Sequence, residues 1–281
     1  MKIITSINEM QNTALTQRAS GRSIGMVPTM GYFHEGHLSL MRRSVEENNI
    51  TVVSLFVNPT QFGPNEDYEI YPRDQERDKG LAKAEGVDIL FCPREEDMYP
   101  GDFKTSVEVK KITEKLCGAS RPGHFEGVLT VVAKLFNIVL PHRAYFGEKD
   151  AQQLIVIKQM VRDLNYPIQI VPCPIQREED GLAVSSRNVN LTEEQRKAAP
   201  VLYRALTKAK EAIEKGEKDS SEVKNLMKGE IDKEPLVELE YAEIVDRGEL
   251  EHVDVIQGRI LIALAAKVGE VRLIDNISLE I

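Results

Sequence analysis

Up to about residue 175 the chain alternates two textures of apolar residues. One is a set of short, solid, β-rich runs: Ile24–Met30 (IGMVPTM), Ile50–Asn58 (ITVVSLFVN), VDILFCP closed by Pro93, RAYFG and IQIVPCPI. Runs of this length bounded by turn residues read as buried strands. The other texture has helical spacing: HLSLMRRSVEEN, the charged DQERDKGLAKAEG ending at Gly86, the apolar FEGVLTVVAKLFNIV, and DAQQLIVIKQMVRDLN. Strands alternating with helices predict right-handed βαβ crossovers and a parallel sheet covered on both faces.

From Gln176 the texture changes. LTEEQRKAAPVLYRALTKAKEAIEKGEK opens on a Thr192/Gln195 capping-box pattern and reads as one amphipathic helix. DSSEVKNLMKGEIDKE reads as a second helix, and LVELEYAEIVD, RILIALAAKV and VRLIDNISLEI read as strands. The predicted architecture is therefore α/β: a doubly wound parallel sheet over residues 1–175, followed by a smaller α+β domain over 176–281. No long linker or repeat separates them, so close packing is expected.

Composition adds exclusions. A formal charge of −9 over 281 residues argues against nucleic acid as the partner, because a duplex binder needs a cationic face. The N-terminus MKIITSINEMQ lacks the apolar core of a signal peptide, and no run of about 18 apolar residues suggests a membrane span. Cys92, Cys117 and Cys173 are odd in number and form no CxxC pair, which points to reduced thiols and a cytoplasmic location. On that reading the Asn190 and Asn276 glycosylation sequons are chance matches.

Doubly wound sheets bind ligands beyond the carboxyl ends of their strands. Polar residues gather at those ends: PTMGYFHEGH after the first strand, NPTQFGPNEDYEIYPRD after the second, GEKDAQQ after RAYF, and REEDGLAVSSRN after IQIVPCPI. Gly31 and Gly36 have the spacing of a phosphate-binding P-loop, but His37 and Leu38 stand where Lys and a hydroxyl belong. If Gly36 opens a helix, His34 and His37 share a face at its positive end, where imidazole and backbone donors suit a phosphate. A metal site or an inert capped turn are the alternatives. His124, His142 and His252 show no ligand spacing that would complete a metal site.

Ser185, Ser186 and Arg187 suit triphosphate oxygens, or form an ordinary ST-turn. Lys149 could neutralise phosphate, and Asp150 could take a ribose hydroxyl or Mg²⁺; the alternative is an N-cap aspartate on a solvated helix. Gln153 would face the same pocket. Asn58 and Gln61 are neutral groups suited to hydroxyl or carboxylate recognition, although Asn-Pro commonly starts a turn. Arg121 and His124 mark either an anion site or a helix start, and Tyr71 with YPRD either a loop cap or a pocket wall.

Taken together, HEGH followed far along the chain by SSRN resembles the HIGH and KMSKS pairing of a nucleotidyl-transfer superfamily. The fuller set PTMGYFHEGHLSL, SLFVNPTQF, YPR, RPGHFEGVLTVV, YFGEKDAQQ and DGLAVSSRN is similar to the pantothenate synthetase (pantoate–β-alanine ligase) family, from about residue 20 to about residue 200. The resemblance implies a Rossmann-like first domain and a second domain closing over the active site. It implies ATP-dependent condensation of pantoate with β-alanine through a pantoyl adenylate, releasing AMP and pyrophosphate.

By position, Met30, Gly31, Tyr32, Phe33, His34, Glu35, Gly36 and His37 would line the ATP site. Gly147, Glu148, Lys149, Asp150, Gln176, Val184, Ser185, Ser186 and Arg187 would complete it. His34, His37, Lys149 and Arg187 would carry the catalysis. Gln61 and Gln153 would hold pantoate with Asn58 close by, Mg²⁺ would ride on the nucleotide phosphates, and a homodimer is expected. Because the second signature is SSRN, Arg187 and Lys149 must supply the cation that a KMSKS lysine would. Cys117, Arg121, His124 and Tyr71 receive no role. The rivals are an adenylyltransferase of the same superfamily, which would form no amide, and a non-catalytic nucleotide sensor.

Overall fold

The computed structural model describes residues 1–64 and 66–281; Asn65, in the polar stretch after the second predicted strand, lies outside them. In chain order the elements are β1 (Lys2–Ile4), α1 (Ile7–Ala19), β2 (Ile24–Thr29), α2 (Glu35–Glu47), β3 (Ile50–Leu55), α3 (Gln75–Ala84), β4 (Ile89–Phe91), the short α4 (Glu95–Met98) and α5 (Cys117–Ser120), and α6 (His124–Val139). They continue with β5 (Arg143–Gly147), α7 (Ala151–Asp163), β6 (Gln169–Cys173), α8 (Glu193–Ala198), α9 (Val201–Glu214), α10 (Ser220–Ile231), β7 (Val237–Asp246), β8 (Arg259–Val268) and β9 (Val271–Glu280).

Two compact units result. The first comprises Met1–Thr113, Ser120–Glu148 and Gln152–Pro174; the second comprises Glu114–Ala119, Lys149–Ala151 and Ile175–Ile281.

The first unit is a six-stranded sheet in the order β1-β4-β3-β2-β5-β6, with every pairing parallel. All six residues of β3 are buried, as a central parallel strand covered on both faces requires. One face packs Val27, Val53, Leu55, Leu90, Tyr145 and Val171 against Leu40 and Met41 of α2 and Ala82 of α3. Strand alternation turns Met26, Val52 and Ala144, also buried, the other way. After β2 the chain steps outward through β3 to β4, and it later re-enters on β2's other side as β5. The order reverses between β2 and β5, which is the switch point where such sheets bind ligands.

The second unit has an antiparallel sheet, β7-β8-β9, with α9 and α10 packed on it. Ile260, Ile262, Leu264, Ala266 and Val268 of β8 meet Leu202, Leu206, Val223 and Met227 in its core. The predicted fold class, a doubly wound parallel sheet plus a smaller α+β part, is the observed one.

Several boundaries differ from the sequence reading. The long helix expected from Thr192 is two, α8 and α9. Pro200, at the N-cap of α9, has no N–H to donate and ends the first run. The capping box itself forms, with Thr192 accepting from the Gln195 N–H and Gln195 accepting from the Thr192 N–H. The second strand stops at Leu55 rather than Asn58, because Asn58-Pro59 starts a 3₁₀ turn through Gln61. The helix after HEGH begins at Glu35, not Gly36. β1 and α1 were not foreseen: β1 has three residues, and α1 buries only Met10 and Ala14. Among the described residues no helix is long and apolar enough to cross a membrane.

Candidate active site

The loop leaving β2 at the switch point is built around one buried carboxylate. Asp78 on α3 is 1% exposed and accepts the Tyr32 N–H at 2.6 Å and the Phe33 N–H at 2.7 Å. Burial raises the Asp78 pKa, against the pull of those two N–H groups and of Arg77. The clamp holds Tyr32 at φ +49°, a left-handed conformation uncommon outside glycine. Gly31 sits at φ +88°, and a Cβ there would lie 3.0 Å from the Asp78 carboxylate. The Arg77 guanidinium stacks 5.0 Å over the Tyr32 ring, outside the clamp.

This turn delivers His34 as the extended N-cap of α2, with no side-chain capping bond. His34 and His37 then stack with ring centroids 4.0 Å apart and planes inclined by 25°. Gly36 lies under that stack: a Cβ would sit 2.9 Å from the His34 ring. Glycine at position 36 thus makes room for an imidazole. Both rings are half-buried at the positive end of a thirteen-residue helix. Phe33 meets His37 edge-on at 5.7 Å but is itself fully buried in the core, so its side chain is packing. Glu35 is exposed, and its carboxylate pairs with Arg42.

The turn after β3 is held as closely. Asn58, expected beside the substrate, is 1% exposed. Its amide donates to the Gly127 carbonyl at 3.1 Å and to Gln61 Oε1 at 3.2 Å, and its oxygen accepts from Tyr99 at 2.7 Å and Thr60 at 3.0 Å. Those bonds engage both ends of the amide inside the turn. Gln61 stays half-buried and donates to the Met30 sulfur at 3.1 Å, tying this turn to the loop after β2.

Arg121 and His124 brace the same turn. His124 Nδ1 donates to the Gln61 carbonyl at 2.8 Å while its Nε2 accepts from Arg121 at 3.1 Å, which requires the neutral ring. Arg121 forms a forked pair with Glu66. Burial works to raise the Glu66 carboxyl, but the Arg121 bonds prevail and its pKa is lowered. The anion-site alternative for Arg121 is therefore not met by geometry, since its guanidinium already holds a carboxylate. Tyr71 is buried, packing edge-on against Phe62 at 5.9 Å. His142 accepts the Ile24 N–H at 2.9 Å and supports the sheet. Gln153 is half-buried at the third position of α7.

In the second unit, Lys149 lies in the 3₁₀ turn Glu148–Asp150 that follows β5. Lys149 is half-buried, and Asp150 is exposed. Gly147, ending β5 in the first unit, has nothing within 4 Å of where a Cβ would be. Gln176 and Val184 pair across a hairpin, the Val184 N–H donating to the Gln176 carbonyl at 2.9 Å. Ser185 follows and caps the 3₁₀ turn Ser186–Asn190 by accepting the Arg187 N–H at 3.3 Å. The ST-turn alternative is therefore real, yet the hydroxyl keeps its own proton to donate. Ser186 is buried and Arg187 half-buried.

The sequence reading missed Asp78, hidden in a helix taken as solvated, and Glu66. It also missed the pair Asp275 and Asn276. Arg177, at the base of the hairpin, is held bidentately by Asp275 at 2.6 and 2.9 Å. Asn276 donates to the Lys149 carbonyl at 2.9 Å.

Residues 2–278 match the family model described as pantoate-beta-alanine ligase. A pantothenate synthetase of Caldicellulosiruptor bescii is 62% identical over 280 residues, covering 100% of this chain and 99% of that protein. One of Acetivibrio thermocellus is 56% identical over the full length of both. Among solved structures, the pantothenate synthetase of Thermus thermophilus superposes with a TM-score of 0.94 at 46% identity, covering 99% of each chain. A Francisella tularensis pantoate-beta-alanine ligase, complexed with beta-gamma ATP and beta-alanine, gives 0.80 at 38% identity over 99% of this chain and 97% of that one.

Proposed function

The chain belongs to the pantoate-beta-alanine ligase family, and from that membership we propose a division of labour among its site residues. The reaction joins pantoate and β-alanine through an amide bond. In our reading His34 and His37 take phosphate oxygens of ATP, with Lys149, Ser185, Ser186 and Arg187 supplying the remaining donors and charge. Gln61 and Gln153 hold pantoate. A relative solved with beta-gamma ATP and beta-alanine supports both ligands here.

Two steps follow. A pantoate carboxylate oxygen attacks the α-phosphorus, and the bond from that phosphorus to the bridging oxygen breaks, releasing pyrophosphate. The unprotonated amine of β-alanine then attacks the carbonyl carbon of the mixed anhydride. The carbon–oxygen bond to AMP breaks and the nitrogen gives up a proton. Neither step needs a covalent enzyme nucleophile; both need reactants in line and charge placed where it develops. The observation that carries this reading is the stacked His34–His37 pair at the start of α2, on a loop fixed by Asp78 at the sheet's switch point.

Mg²⁺ would be held through the nucleotide phosphates, with the exposed Asp150 carboxylate as the nearby acidic group, and would neutralise phosphate charge. The open space beside Gly147 suits a nucleotide approaching the end of β5. A homodimer in the cytoplasm completes the proposal. There its thiols stay reduced, and burial pushes the Cys92 thiol up to about 11, keeping it protonated.

Pyrophosphate release is the test. With ATP and Mg²⁺ it should require pantoate, proceed to about one equivalent of enzyme without β-alanine, and turn over once β-alanine is added. Continuous turnover with pantoate alone would favour a simple adenylyltransferase, and no release under any condition would leave a nucleotide sensor.

A further inference from the structure

Two neighbouring residues of β9 reach the two cation-bearing loops of the second unit. Asp275 and Asn276 are 3% and 5% exposed, on the edge strand of a three-stranded sheet. Asp275 takes both terminal nitrogens of Arg177. That guanidinium also donates to the Gly181 carbonyl at 3.0 Å and stacks 4.1 Å over the Tyr203 ring. It thereby closes the hairpin in which Arg177 bridges Ala183, directly before Val184 and Ser185. Gly181 is required at the tip: it has φ +90°, and a Cβ would lie 2.1 Å from the Tyr203 ring. Asn276 donates to the backbone carbonyl of Lys149. Arg177 also donates to the Asn276 carbonyl at 3.4 Å, so both anchors share one backbone segment.

A buried ion pair is a poor device for stability alone, because apolar residues of similar volume often serve as well or better. What a fully bonded pair provides is a fixed geometry. Here that geometry belongs to Lys149 on one side and to the Ser185–Arg187 turn on the other. We propose that Asp275 and Asn276 are positioning residues for adenylation. They set the spacing between Lys149 and the Ser185–Ser186–Arg187 turn to that of a triphosphate, and touch no substrate themselves. This rests on the ATP-binding roles proposed above for those residues.

The two half-reactions separate a positioning role from a structural one. Triphosphate charge is handled only while pyrophosphate is leaving, so a misplaced clamp slows adenylation selectively. Displacements near 1 Å cost up to about 100-fold in rate. The experiment uses the full chain with Asn276→Ala and, separately, Asp275→Asn. Three quantities are measured: pantoate-dependent exchange of pyrophosphate into ATP, aminolysis of chemically prepared pantoyl adenylate by β-alanine, and the melting temperature.

The expected result is a 10- to 100-fold loss of exchange at saturating ATP, with aminolysis within threefold of the unsubstituted protein. Equal losses in both half-reactions would overturn the proposal, as would exchange within twofold of the unsubstituted protein. Asn276→Ala removes a neutral amide, its bond to the Lys149 carbonyl included, and keeps the test alive should Asp275→Asn fail to fold. If the unsubstituted protein shows no pantoate-dependent exchange, the functional reading fails. If it exchanges normally and both variants do too, only the positioning role fails.

Discussion

Gly127→Ala tests whether the turn carrying Gln61 is held where pantoate needs it. Gly127 lies inside α6, where alanine would ordinarily stabilise the helix by up to about 1 kcal/mol. At this position, however, an added Cβ would fall 2.3 Å from the Thr60 carbonyl oxygen and 2.7 Å from Gln61 Cα. Both are backbone atoms, so no side chain can swing aside. Restoring ordinary contact requires the turn to retreat by roughly 1 Å. The turn resists, because Asn58 ties it to the Gly127 carbonyl and His124 ties it to the Gln61 carbonyl. Overpacking of this kind costs about 1–3 kcal/mol, enough to cancel the helix gain and reverse its sign. A shift of that size at Gln61 should raise the pantoate KM by about 10- to 100-fold, equivalent to roughly 1.4–2.7 kcal/mol, with the ATP KM within about threefold. Pyrophosphate-release kinetics with each substrate varied, beside a thermal melt, measure both effects. A variant that melts higher and binds pantoate normally would refute the argument, since it would show Gly127 behaving as an unconstrained helix residue.

Two further outcomes follow from the same geometry. His37→Ala and Arg187→Ala should each slow single-turnover pantoyl-adenylate formation by about 10²- to 10³-fold while the fold persists, and a near-normal rate in either would remove that residue from the phosphate site. Glu230 is held at about 2 by hydrogen bonds from Lys208 and Lys233, below its ordinary 4.5. Its stabilisation is therefore complete above pH 4.5 and is lost as the pH falls toward 2. Both lysines are half-exposed, so the effect is discounted to about 1 kcal/mol, or about 2–4 °C in melting temperature. The unsubstituted protein should lose that much more than Glu230→Gln over this interval, and parallel melting curves would dismiss the pair.

What could be read along the chain was whatever depends on near neighbours. The solid apolar runs of β2 and β3 announce buried parallel strands because burial on both faces leaves no polar position to alternate. His34 and His37 are legible as a pair because an N-cap residue and the third residue of its helix are near neighbours, although the stack itself also needs the extended backbone at His34. β1 escaped notice because three residues hold too little pattern, and its pairing with β4 is decided by the sheet. Asp78 was invisible for a related reason: its partners Tyr32 and Phe33 are 46 and 45 residues away, and its helix is otherwise charged. Asp275 finds Arg177 across 98 residues, in a stretch legible only as a strand with a chance sequon.

Asn58 shows what a motif leaves unsaid about its own residues. It shares a turn with Gln61, carries the same amide group, and is as plausible a ligand on sequence grounds. The fold separates them. Four hydrogen bonds turn the fully buried Asn58 amide inward, whereas Gln61, half-buried, accepts one of them on its oxygen and donates to the Met30 sulfur. A motif therefore names the segments of a site, but which of its polar residues meets substrate depends on where each one's bonds are already spent. For Asn58 the partners lie partly within the turn, at Thr60 and Gln61, and partly far along the chain, at Tyr99 and Gly127.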